Sequence, residues 1–118
     1  MPDVPAEVQK FATAHEAVVV VDHDGAVVVM SPAAEALLGV EASDMAGEFI
    51  EMLVPEKKRW GHQAYRRGYL AEPSDREMDP GLEPEAERPD GTIVPVHVRL
   101  EPVRVDGRLY VAAHVTER

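Results

Sequence analysis

The 118-residue chain contains no cysteine, which excludes disulfides, zinc–thiolate sites, thiol nucleophiles and any cofactor attached through sulfur. Aromatic residues are few, with one Trp, three Tyr and two Phe, so little bulk is available to fill an interior. No apolar run approaches the roughly 18 residues of a membrane span, and Met1-Pro2-Asp3 opens no basic, apolar leader. A cytoplasmic protein without a membrane segment is expected. Basic residues are also scarce: 12 Lys and Arg stand against 22 Asp and Glu, a formal net charge of −10. A surface of that sign repels nucleic-acid phosphates and anionic lipid, so no nucleic-acid partner is expected. What remains, 45% hydrophobic and 29% charged residues, suits one soluble domain with a genuine core.

Residues 4–15 place Val4, Val8, Phe11 and Ala12 at helical spacing, so residues 1–15 are expected to form an amphipathic helix that caps or dimerises the domain formed by 16–118. The β-branched run Val18-Val19-Val20-Val21 predicts a strand, Asp22-His23-Asp24-Gly25 a turn, and Ala26 to Met30 a second strand. Ser31-Pro32 supplies a cap and first helical residue, and Gly39 a left-handed stop. Ser43-Asp44 predicts another short helix with Ser43 as its cap, and a longer one runs from Pro55 through Trp60, His62, Tyr65 and Tyr69 to about Ala71. Residues 72–80 read as a loop. Leu82, Pro84 and Ala86 alternate with glutamates, which predicts an edge strand, since Pro84 donates no ladder bond. Val94 to Leu100 and Leu109 to Val115 repeat with period two around Asp106-Gly107. The order predicts an α+β fold, one five-stranded antiparallel sheet with short helices on one face.

These pieces resemble the PAS domain. The resemblance is carried by Val21-Asp22-His23-Asp24-Gly25, Ser31-Pro32-Ala33-Ala34-Glu35-Ala36-Leu37-Leu38-Gly39, Met45-Ala46-Gly47, Leu53-Val54-Pro55, Arg88-Pro89-Asp90-Gly91-Thr92, Pro95-Val96 and Val115-Thr116-Glu117-Arg118, in that order from about Glu16 to the end. It departs from the family pattern at Ser31, where many members carry asparagine, and at His114, where the closing motif has an aspartate that helps couple the last strand to an output helix. The resemblance implies a sensory or signal-transduction module without catalysis of its own, acting on a fused or separate effector such as a histidine kinase, cyclase or regulator.

Period two sends Leu82, Val96, Val98, Leu100, Leu109, Val111 and Ala113 toward the helices. With Tyr65 and Tyr69 of the long helix, Leu82, Val96, Val98, Leu100 and Val111 form the candidate small-ligand pocket; an ordinary packed core is the plain alternative. His62 resembles the proximal histidine of PAS domains that sense oxygen through haem, and a neutral imidazole on an apolar wall is what such iron takes as axial ligand. Those proteins present an arginine where Leu82 stands. The flavin-cysteinyl and coumaroyl chromophores of other members require a cysteine that this chain lacks. Asp22, Asp24 and Gly25 begin like a calcium loop, but the further ligands are missing and a hairpin turn accounts for them. Lys57, Lys58, Arg59, Arg66 and Arg67 give the long helix a basic face, a solvated surface or a partner's docking site. The first two strands are apolar on both faces, so something must cover the outer one; a homodimer is expected. Three readings follow: a ligand-binding sensor, a ligand-free interaction module, and a haem gas sensor centred on His62.

Overall fold

The computed structural model describes residues 4–78 and 80–118; the start of the expected 1–15 helix therefore lies outside the described residues. The rest of that helix divides into α1 (Ala6–Gln9) and a 3-10 turn over Lys10–Thr13. The valine run forms β1 (Val18–Val21), which pairs antiparallel with β2 (Val27–Met30). Between them the Asp22 carboxylate accepts the amides of Asp24 at 2.9 Å and Ala26 at 3.0 Å, and Gly25 adopts φ 86°. These are the contacts of a side-chain-closed hairpin turn.

Pro32–Leu38 forms α2, started by Ser31 and ended by Gly39 at φ 67°. Ala42–Met45 forms α3. Its N-cap position is Glu41, not Ser43 as the spacing suggests, and the Ala42 amide is accepted by the Glu35 carboxylate of α2 at 2.8 Å. A 3-10 turn at Ile50–Leu53 leads into the 16-residue α4 (Glu56–Ala71). Trp60, read as part of the apolar pattern, lies on the solvent side of α4 at 83% exposure.

Two corrections concern the segment after α4. The expected loop 72–80 contains a two-residue strand, β3 (Arg76–Glu77), paired with Leu100 and Arg99. The expected strand from Leu82 shortens to β4 (Glu85–Glu87), because Pro80–Leu82 closes a 3-10 turn and Glu83 takes φ 49°, a left-handed kink no strand sustains. Leu82 is therefore 47% exposed rather than a strand residue facing the helices. Ile93–Val105 and Arg108–Glu117 form β5 and β6, joined by Asp106-Gly107 at φ 49° and 79°, the positive pair that a tight two-residue hairpin requires.

The sheet runs β2-β1-β6-β5-β3, with β4 also on the free side of β5. Its closure depends on β1 against β6, where Val18 meets His114 and Val21 meets Val111. Alternation then divides the valines. Val19 and Val21 join Val96, Leu100 and Val111 in the core beneath the helices. Val18 and Val20 face the other way, with Tyr110 and Ala112, and are sealed by Val8 and Phe11 of the N-terminal segment. Val18, Val20 and Ala112 are 0% exposed in the single chain, so the protein's own N-terminal segment covers the outer strands. Burying Val8 and Phe11 contributes about 1.5–3 kcal/mol each. His114, in register with Val18, lies on this outer face. Its ring meets Phe11 edge-on at 6.0 Å, and Nε2 is 2.8 Å from Glu101.

Candidate functional site

Between the inner sheet face and α4 lies a partly open cavity of about 320 Å3. The reason lies in side-chain size. Val19, Val21, Val96, Val98, Val111 and Ala113 on the sheet are too short to reach α4 everywhere, although Tyr65, Tyr69 and Leu70 of the helix pack toward them. All of the residues picked from sequence, His62, Tyr65, Tyr69, Leu82, Val96, Val98, Leu100 and Val111, line this space. Half-exposed Leu82 does so from the 3-10 turn. Leu109, expected on the same face, does not reach the cavity. Sequence reasoning missed Leu38, Ile50, Leu53 and Val54, which close one side. Met78, conceivable from sequence as a distal haem ligand but two residues early in the loop for that role, reaches the wall with its amide tied to the Val98 carbonyl at 2.8 Å. The signal for Leu53 and Val54 was present in the Leu-Val-Pro motif before α4, but nothing local says on which side of the turn they fall.

The polar residues sit on α4 and at its edges. Glu51 is 5% exposed and takes three hydrogen bonds: His62 Nδ1 lies 2.7 Å from Oε2, while Arg66 donates from Nε to Oε2 at 3.2 Å and from Nη2 to Oε1 at 3.3 Å. A buried carboxylate requires such partners. The Arg66 guanidinium also covers Gly25: a Cβ at that glycine would fall 2.6 Å from Arg66 Cζ. The cluster thus ties α4 to the turn before it and to the β1–β2 hairpin. Lys58 bonds the Glu85 carboxylate and the Glu83 carbonyl, both at 2.8 Å, and the hydrogen bond from Lys58 holds the Glu85 carboxyl below its ordinary range. Arg59 donates to the Val54 carbonyl at 2.9 Å. Three of the five cations in the basic face are therefore engaged within the domain.

Tyr69, 3% exposed, donates its hydroxyl to the Ser74 carbonyl at 2.6 Å. Burial is the main cause raising its pKa, against the opposing Ser74 hydrogen bond. The stability held by the neutral phenol is whole below the ordinary value of about 10 and is lost as the pH rises through the raised folded value. Urea unfolding measured between about pH 9 and 11 is expected to show a steeper alkaline loss in the wild type than in Tyr69→Phe. Parallel curves would contradict it.

The fit to haem is partial. His62 has the carboxylate partner on one ring nitrogen that ligating imidazoles commonly have. Leu82, at the place of the family's arginine, supplies no donor, and Lys58 and Arg66, the cations at the wall, are already paired. The residues present do not complete a haem site.

Comparison with known proteins agrees with this architecture. The profile of the PAS fold matches residues 8–113. Sensor protein FixL of Bradyrhizobium diazoefficiens is 28% identical over 105 residues, which are 89% of this chain and 21% of that protein; the chain spans about one fifth of that relative's length. The crystal structure of the PAS domain of an HTR-like protein from Haloarcula marismortui superposes with TM-score 0.74 at 22% identity, over 92% of this chain and 85% of that one. A PAS domain from a two-component sensor histidine kinase superposes with TM-score 0.70 at 11% identity, over 93% and 91%. With nearly the whole chain matched by one family profile and its sheet order and helices in place, this protein belongs to the PAS family.

Proposed function

We propose that the chain is a sensory module of a signal-transduction system, with no catalysis of its own, whose cavity binds a small molecule and whose occupancy is read by an effector such as a histidine kinase, cyclase or regulator, fused or separate. The observation that carries this reading is the 320 Å3 cavity, within the size range of ligand sites, roughly 300–1,000 Å3. A ligand acts only by binding two states unequally. The element placed to respond is α4, which forms one wall and grips the β1–β2 hairpin through Arg66 over Gly25. The likeness to FixL and to a histidine-kinase PAS domain supports the signalling role.

We place the module in the cytoplasm; no helix among the described residues is long and apolar enough to cross a membrane. We also propose a homodimer, formed where Val4, Val28 and Val103 are left only partly buried around the outer cluster.

Native mass spectrometry of the purified protein, offered a cell extract, is expected to show a retained small molecule that is lost in Val98→Trp, where the indole fills the cavity. No adduct in either protein would favour the ligand-free interaction module. A Soret band abolished by His62→Ala would establish the haem reading instead. The same measurement reads subunit number, and a 13.0 kDa species alone at high concentration would defeat the dimer.

A further inference from the structure

The chemical class of the ligand follows from which polar atoms on the cavity wall are still unused; this inference rests on the cavity being the ligand site. The sheet side of the wall is aliphatic, so an ionised ligand would lose its hydration there without compensation. Among the described residues, the charged side chains on the wall and Tyr69 already hold protein partners. Among the described residues Tyr65 has no hydrogen bond to protein, and His62 is engaged there through Nδ1 alone.

Arg66 reaches both oxygens of Glu51, so the buried carboxylate is neutralised without a charge on His62. In the neutral tautomer that donates its Nδ1 proton to this carboxylate, His62 keeps a lone pair on Nε2. Tyr65 lies three residues further along α4, a spacing that places two side chains on one face of a helix.

We propose that the cavity selects small, uncharged, largely apolar molecules that carry one hydroxyl or N–H group, of the phenol or indole kind. The ligand's proton is accepted by His62 Nε2, and its polar atom lies beside the Tyr65 hydroxyl. A volume of about 320 Å3 is near the lower end of ligand sites, which suits a body of one or two rings.

The test compares naphthalene, β-naphthol and the methyl ether of β-naphthol by NMR titration of the intact chain. β-Naphthol is expected to bind about tenfold more tightly than its ether, the worth of one neutral hydrogen bond. That preference falls to about twofold or less in His62→Leu. In the wild type, the His62 ring nitrogen resonance is expected to move with β-naphthol and not with the ether, a readout that needs no variant to fold. Equal binding of β-naphthol and ether overturns the inference but leaves the ligand site standing. A preference undiminished in His62→Leu overturns the assignment to His62. Failure of all three probes to bind overturns the ligand-site reading, and this inference with it.

Discussion

Replacing Ser31 with alanine is expected to lower the unfolding free energy by about 3 kcal/mol. The residue is 0% exposed, and its single hydroxyl makes three hydrogen bonds. It accepts the Ala34 amide at 3.3 Å as the cap of α2 and the Val18 amide at 2.9 Å, and donates to the Glu16 carbonyl at 2.7 Å. Loss of a cap costs about 1 kcal/mol. The larger part comes from Val18, 0% exposed, whose amide would be left buried without a partner at about 1–3 kcal/mol; the more exposed Glu16 loses its tie to α2 as well. Against a total stability of about 5–15 kcal/mol, the melting temperature should fall by about 10 °C. Ser31→Asn, which keeps an acceptor and a donor, should recover part of the loss. A Ser31→Ala variant within about 0.5 kcal/mol of wild type, the range of neutral surface changes, would show that the hydroxyl is not what joins α2 to β1.

The second large effect concerns the buried carboxylate. Arg66→Met is expected to destabilise by about 3–5 kcal/mol, because Glu51, with a side chain only 7% exposed, would then be left with His62 as its sole partner. The double variant Glu51→Met/Arg66→Met should be less damaged than Arg66→Met alone. Removing both charges also removes the desolvation penalty, and two methionines restore apolar contact. His62 faces partly outward, so water can replace Glu51 at its Nδ1. Denaturant unfolding of the two single variants and the double variant gives the coupling directly. If the double variant lost the sum of the single losses, the cluster would be three independent contacts rather than one buried unit.

Much of the cavity was legible because strands advertise their faces. Val96, Val98 and Leu100 alternate, as do Val111 and Ala113, so one choice of face assigns them all. The tyrosines of α4 follow from helical spacing. The cap at Ser31 and the stop at Gly39 were equally plain, since each needs only its immediate neighbours. The failures share a cause. Ser43 has the right chemistry for a cap, yet the first amide of α3, that of Ala42, is taken by Glu35, seven residues before it. β3 consists of Arg76 and Glu77, which have no strand character of their own and pair only because β5 passes beside them. Glu51 looks like a solvent-facing acid between Ile50 and Met52. Its burial depends on an arginine 15 residues away on another element.

By itself the sequence determined most element types, the hairpin turns, the two-faced valine strands and the exclusion of cysteine chemistry, because each is set by residues within a few positions of one another. The tertiary structure decided what those faces meet. It laid the N-terminal segment over Val18 and Val20, left a space opposite α4, and set His62 and Arg66 on its wall, both held by Glu51. Such outcomes depend on joining Val18 to His114 across most of the chain, and no local pattern specifies the shape that closure leaves behind.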